Sequence, residues 1–336
     1  MAGHDLDSDP GRAPDRAPGA DLGQDLEYDV VDVFADHPFA GNQLAVVHGA
    51  AALSDGQLLE IAREFNFSET TFPVSTGSTT GSDFDGLTTG NRYRVRIFTP
   101  GGEIPFAGHP TLGTAWVLRE RGLLDAEEVV QVCAAGEITV RFDESRVELG
   151  AVPRDLAGPL PDRLTHALLG DLGLAPRDLA GEAWLAGTGL TFVHLPVSDD
   201  AVTRAHPSMR SLQEYAADLA GCADPVDAIN LHSITGPAGT GRPLAVHSRV
   251  FVPGLDVAED PATGSAAAGL GMALVATGVL PAGGDYLVRQ GLEMGRPSRL
   301  HGRVEASAGR ATRCFVAGQV HPVARGRIRK PEARTP

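Results

Sequence analysis

Two short stretches of the chain carry the same residue types at the same spacing. His109-Pro110-Thr111-Leu112-Gly113-Thr114-Ala115 and Asp260-Pro261-Ala262-Thr263-Gly264-Ser265-Ala266 both run polar residue, proline, two spacers, glycine, hydroxyl residue, alanine. Small and apolar residues of helical character follow each one, at 115–118 and 266–275. A polar side chain able to cap, followed by proline at the first helical position, is a helix start. His109 and Asp260 are thus expected to cap two helix entrances lying 151 positions apart. An entrance offers unpaired backbone N–H groups and the positive end of the helix dipole, which suits a carboxylate or a developing anion. If the two halves of a duplicated domain face each other, both entrances meet at one cleft. That arrangement favours an enzyme over a scaffold.

Glu69 is the candidate for proton chemistry. It stands in the apolar and hydroxylic run Phe67-Ser68-Glu69-Thr70-Thr71-Phe72. Flanking aromatics would partly desolvate the carboxylate and raise its pKa, as a proton shuttle working near neutrality requires. The competing reading is a strand glutamate facing solvent. His109 follows Gly108, which permits close approach of a ligand to the backbone, yet a histidine there also caps a helix or satisfies a buried carbonyl. Asp260 has the same bland alternative, and Ser265 and Thr114 can bond back to helix carbonyls. Each residue is weak alone; their recurrence in one pattern is the signal.

Other chemistries find little support. No His-x-x-x-His pair and no Cys-x-x-Cys is present, so no metal is expected. No Gly-x-Ser-x-Gly elbow appears. No strand leads into a Gly-x-Gly-x-x-Gly helix start, and Thr263-Gly264-Ser265 lacks the Gly-Lys-Ser/Thr tail of a phosphate loop. No cofactor is therefore expected.

The elements that must position these residues read as α+β with much antiparallel sheet and one notable helix per half. Residues 1–26 are rich in Asp, Ala, Gly and Pro and read as a disordered leader. Tyr28–Phe34 and Gln43–Val47 read as strands, and Ser54–Phe65 as an amphipathic helix with a serine cap. Glu69 lies in a strand-like run to Val74, ahead of a Ser/Thr/Gly/Asp loop at 75–91. Tyr93–Phe98 alternates with period two, the mark of a half-buried strand. Short strands follow at 129–133, 137–142 and 146–149, and the Pro/Gly-rich stretch 150–163 is the best linker. Beyond it, 183–195 contains a strand, 208–219 reads as a helix, and 245–252 as a strand leading to the second motif. Further strands are expected at 286–289, 299–305 and 313–320. The expected lobes are 27–150, completed by a C-terminal strand at about 318–330, and 151–317.

A chain of 336 residues is comfortable for two domains. Its net charge of -15 argues against nucleic-acid or anionic-membrane partners, both of which need basic surface. An anionic small substrate stays open, because helix dipoles dominate inside a cleft. No apolar run is long enough to span a membrane. The N-terminal residues lack the apolar core of a secretory signal, so the cytoplasm is expected. Cys133, Cys222 and Cys314 are scattered and fit neither a disulfide framework nor a zinc site.

Four ordered segments resemble the phenazine-biosynthesis PhzF family over about residues 28–330. They are Asp32-Val33-Phe34 with Pro38-Phe39-Ala40-Gly41-Asn42; Phe67-Ser68-Glu69-Thr70-Thr71-Phe72; Phe98-Thr99-Pro100 with Glu103 to Thr111; and Glu259 to Ala266. The resemblance implies a diaminopimelate epimerase-like fold. In that fold two pseudo-symmetric lobes each wrap a curved sheet round a central helix, with the active site between them. It also implies a cofactor-independent isomerase in which the glutamate of the Ser-Glu-Thr-Thr segment, Glu69 here, moves a proton within a small conjugated carboxylate. His109 and Asp260 join it as catalytic residues, with Asn42, Gly108, Gly264 and Ser265 binding substrate. Relatives of this fold that racemise with two thiols carry one at each helix entrance. None of the three cysteines lies in either motif. Family precedent implies a homodimer in secondary-metabolite biosynthesis, of phenazine-like or alkylproline type. A binding protein that keeps the cleft without turnover, and an epimerase or C–C hydrolase, are the alternatives.

Overall fold

Alternation along Arg92–Thr99 buries Tyr93, Val95 and Ile97 while Arg94 points outward, and pairing with flanking strands follows from that pattern. The computed structural model describes residues 25–74, 88–89, 91–143, 145–154, 156–208, 210–219, 225–239, 241–253 and 258–332. Among these residues, nineteen strands form one hydrogen-bonded network. The expected leader falls outside them except for Asp25 and Leu26. Those two already belong to strand Asp25–Val33, where Leu26 is buried. Most of the 75–91 loop also lies outside the described residues.

The pairing order exposes a duplication. One run passes from Val320–Arg329 through Asp25–Val33, Asn42–Val47, Glu69–Val74, Arg92–Thr99, Glu128–Cys133 and Gly136–Phe142 to Val147–Ala151. The other passes from Leu156–Ala157 through Trp184–Gly187, Thr191–Pro196, Val226–Gly236, Leu244–Phe251, Gly283–Gln290 and Ser298–Ser307 to Arg310–Gly318. In each run the pairings go antiparallel, antiparallel, parallel, antiparallel, parallel, antiparallel, antiparallel. The runs join where Val147–Ala151 pairs with Arg310–Gly318.

Helices sit at equivalent points of the two runs. Helix α1 (Asp55–Phe65) starts with a Ser54–Gln57 capping box, and its Leu58, Ile61 and Ala62 pack towards Phe72 and Phe98. Helix α2 (Gly108–Glu120) follows the short hairpin strand Gly102–Ile104. Helices α3 (Asp162–Asp171) and α4 (Asp199–Arg204) cover the second run. Helix α5 (Gly264–Ala276) follows the hairpin strand Glu259–Asp260. It is buried on every side, as a helix built from Ala, Gly, Leu and Met must be. Leu112, Ala115 and Leu118 of α2 and Leu270 and Leu274 of α5 share one apolar core with strands of both runs. Close approach there depends on small residues: a Cβ at Gly113 would come within 2.6 Å of Leu44. No helix among the described residues is long and apolar enough to cross a membrane.

Two expectations are corrected. Among the described residues of 208–219 only the single turn Leu212–Tyr215 is helical; Leu212, Tyr215 and Leu219 reach the core, while most of the other residues are exposed. Strand Val226–Gly236 was not foreseen, since its buried face carries Asn230 and His232, which read as polar.

Candidate active site

The hairpin registers decide which residues of the two halves correspond. Ile97 pairs with Ile104 and Phe98 with Glu103, while Val250 pairs with Asp260 and Phe251 with Glu259. Asp260 therefore occupies the place of Ile104, and His109 the place of Ser265, an offset of 156 positions. The sequence pattern that aligned His109 with Asp260 was off by five. Neither residue caps a helix as expected. Helix α2 starts at Gly108 after Ala107, which has no side chain to cap with, so His109 is its second residue and Pro110 its third. Helix α5 starts at Gly264 after Thr263, and Pro261 precedes it.

Both entrances are left without a side-chain cap. Thr263 has the right hydroxyl, but donates it to Asp260 Oδ2 at 2.5 Å instead. The entrances also abut, since a Cβ at Gly108 would lie 3.5 Å from Gly264 Cα. Two sets of free first-turn N–H groups thus converge on one spot, where a negative charge would be stabilised.

Around that spot the structure gathers Asn42, Glu69, His109 and Asp260. Asn42 Nδ2 donates to Asp260 Oδ1 at 2.8 Å and to the Ala262 carbonyl at 3.1 Å, and lies 3.3 Å from His109 Nδ1. Two acceptors that cannot donate fix which end of the amide is nitrogen. Both Nδ2 hydrogens are thus committed to Asp260 and Ala262, and on the far side of the ring His109 Nε2 lies 3.5 Å from Glu69 Oε2. Neither of those two buried atoms has a hydrogen-bond partner. Burial, reinforced by the nearby Asp260 charge, pushes the Glu69 carboxyl up to about 8. Burial also pulls His109 down to about 3, against the Gln43 backbone beside the ring. At neutral pH, His109 is uncharged and Glu69 holds a proton that it can release.

Asp260 is the contrast, because its oxygens are occupied. Besides Asn42 and Thr263, Ser68 Oγ donates to it at 3.5 Å. Burial still raises its pKa, opposed by these donors. It does not touch His109; Asn42 stands between them. Gln290, which the sequence reading missed, holds the segment from behind. Its Nε2 donates to the Asp260 carbonyl at 2.8 Å and its Oε1 accepts from Thr263 N at 3.2 Å. Ser68, Thr263 and Gln290 gave no separate signal, because their roles depend on contacts across the fold. Ser265 lies buried in the first turn of α5, where His109 lies in α2. Cys133 ends one strand and Cys314 lies within another, both outside the helix entrances.

Comparisons with known proteins agree with this architecture. The profile of the PhzC–PhzF family, phenazine biosynthesis-like proteins, matches residues 31–326. Trans-2,3-dihydro-3-hydroxyanthranilate isomerase of Pseudomonas fluorescens is 33% identical over 90% of this chain and 98% of its own. The enzyme of the same name from Pseudomonas aeruginosa is 35% identical over 89% and 98%. A PhzF-family phenazine biosynthesis protein from Bacillus anthracis superposes with a TM-score of 0.74 at 22% identity, over 90% of this chain and 99% of that one. More distantly, a hydroxyproline epimerase from Agrobacterium vitis shares the fold, with a TM-score of 0.55 at 12% identity over 92% and 93%. With the profile spanning both runs of the sheet and isomerases among its relatives, the chain belongs to the phenazine biosynthesis-like PhzC–PhzF family and is an isomerase.

Proposed function

We propose that this isomerase moves a proton between carbons of a small, conjugated, carboxylate-bearing metabolite, using Glu69 as the single acid and base. The observation that carries the reading is the Glu69–His109 contact. Two unsatisfied, buried polar atoms face each other beside two uncapped helix entrances. Ionised Glu69 takes a proton from carbon, and the electron pair left behind delocalises through the conjugated system. Glu69 then returns the proton to a second carbon on the same face. A carboxyl near 8 suits both steps, being neither too weak to accept nor too reluctant to give. Neutral His109 donates through Nε2 to the substrate atom where charge develops. The N–H groups around Gly108, Gly264 and Ser265 hold the substrate anion. Asp260 and Asn42 keep the imidazole and a polar substrate group in one orientation.

The named substrate of the relatives, trans-2,3-dihydro-3-hydroxyanthranilate, has the required features: a carboxylate and a diene through which the electron pair can move. It is the substrate to try first. Incubated with it in D2O, the enzyme should turn it over and place solvent deuterium on carbon, whereas Glu69→Gln should do neither with its fold intact. Normal turnover by Glu69→Gln would refute the assignment. An epimerase would exchange a carbon-bound proton without shifting the double bonds.

A further inference from the structure

The turn between strands Gly283–Gln290 and Ser298–Ser307 takes no part in proton transfer, yet it grips the chain just ahead of Asn42. Arg296 Nε donates to the Gly41 carbonyl at 2.9 Å, and Nη2 to the Ala40 carbonyl at 2.7 Å and to the Asp32 carboxylate. Asp32 is buried, and its other oxygen accepts the Phe39 N–H at 2.6 Å. That bond holds Phe39 at φ 69°, a conformation uncommon for an aromatic residue. Two backbone bonds lie alongside, from Gly41 N to Pro297 O at 3.1 Å and from Arg299 N to Phe34 O at 2.8 Å. All three Arg296 side-chain bonds and both of these backbone bonds cross from one sheet run to the other.

The same turn is seated on the Asp260 segment. A Cβ at Gly291 would come 2.6 Å from the Pro261 carbonyl oxygen, so glycine lets the turn lie flat against it. Gln290, one residue earlier, bonds Asp260 and Thr263 directly. One turn thus fixes the segments carrying both partners of the Asn42–Asp260 hydrogen bond.

We propose that Arg296 is a positioning residue, a latch across the two halves that sets Asn42 against Asp260 and His109 and keeps the cleft closed around Glu69. The inference rests on the proton-shuttle reading above. It needs arginine specifically, because the planar guanidinium reaches three acceptors at once, whereas a lysine ammonium on its flexible stem does not reproduce the fork.

The test is Arg296→Lys, with Asp32→Asn as a second variant that keeps the shape and removes the ionic end. Each is assayed by deuterium incorporation from D2O into trans-2,3-dihydro-3-hydroxyanthranilate across a pH series. Amide exchange at Gly41 and Arg299 is followed in the absence of substrate. We expect Arg296→Lys to fold, to lose kcat by at least about tenfold with KM changed by less than about threefold, and to exchange both amides faster. We also expect its rising pH limb to move to lower pH, because water entering the seam relieves the desolvation of Glu69. Asp32→Asn should shift in the same direction by less, and it carries the test alone if Arg296→Lys does not fold. An unchanged pH limb would overturn the latch, whatever happens to kcat, and so would unchanged amide exchange. Glu69→Gln in the same series separates the two ideas. An active Glu69→Gln removes the shuttle, whereas an inactive one beside a wild-type-like Arg296→Lys removes only the latch.

Discussion

The two helix entrances occupy equivalent places in a duplicated fold, yet they are furnished differently. At α2 the second helical residue is His109, and Glu69 faces it with both reactive atoms unsatisfied. At α5 the corresponding residue is Ser265, and the nearby carboxylate of Asp260 is held by Asn42, Thr263 and Ser68. A group already saturated with donors is a poor base, because its lone pairs are committed. A buried group with none is primed to exchange a proton. The duplication built two uncapped helix entrances, and on the proposed reading their asymmetry gives chemistry to one and orientation to the other. A single base returns its proton to the face it came from, so this arrangement suits isomerisation along one face better than inversion at a centre.

The largest break in that contrast is Glu69→Gln. With Glu69 as the proposed single acid and base, its loss should cost turnover at least about 100-fold, with far-UV circular dichroism unchanged. Its stability should carry a pH signature. The Glu69 carboxyl titrates near 8 in the folded protein against an ordinary 4.5, so the native state keeps a proton that the unfolded chain releases between those values. The stability tied to that proton is complete below pH 4.5 and lost as pH rises through 8. Glu69→Gln should therefore melt close to wild type at pH 4.5 and above it at pH 8. His109 runs the other way, since its pKa is depressed to about 3. Its contribution is full above its ordinary 6.5 and lost as pH falls towards 3, a loss that His109→Ala should not show.

Next come His109→Ala and Asp260→Asn, each expected to cut kcat/KM by at least about tenfold, or about 1.4 kcal/mol in the barrier. Asp260 is not the N-cap of α5, so the capping skill of asparagine does not protect the variant. An amide there keeps one acceptor oxygen in place of the two that Asn42, Ser68 and Thr263 now donate to. Because Asn42 joins the two residues, the double mutant should lose less than the product of the single losses. Fully multiplicative losses would separate the two entrances into independent parts.

Ser265→Ala should have a smaller effect, about threefold to tenfold, and mainly in KM, as removal of one hydrogen-bonding group from the binding end implies. Ser54→Ala sits far from both entrances. It should cost about 1 kcal/mol of stability through the α1 cap and leave kcat unchanged, which thermal melts and steady-state rates at one pH can check.

Much of this was legible in the sequence, for reasons visible in single residues. Alternation along Arg92–Thr99 and the Ser54 capping box are local, and local patterns survive folding. The candidate residues were findable because Glu69 sits among aromatic and hydroxyl neighbours, and because the two motifs share a plan. The true correspondence between the motifs was not legible. His109-Pro110 and Asp260-Pro261 look alike, but hairpin register pairs His109 with Ser265. Helix starts were misplaced for a related reason: Thr263 spends its capping hydroxyl on Asp260, a bond that sequence does not reveal. Arg296 stayed hidden because its side-chain partners lie in the other half, and Gln290 because its partners lie about 30 positions earlier in its own half. Strand Val226–Gly236 stayed hidden because its buried Asn230 is satisfied by His194 and Ser248 of the neighbouring strands, partners that only the fold supplies.

The central claim is that Glu69, held near 8 by burial, is the group that must lose its proton before catalysis starts. The most direct measurement is kcat/KM from pH 5 to 10 for the wild-type enzyme with trans-2,3-dihydro-3-hydroxyanthranilate, since that profile reports the free enzyme. The account expects a limb rising about tenfold per pH unit and levelling with a midpoint about 8. A profile already flat above pH 5.5, the behaviour of an ordinary carboxylate, would contradict it.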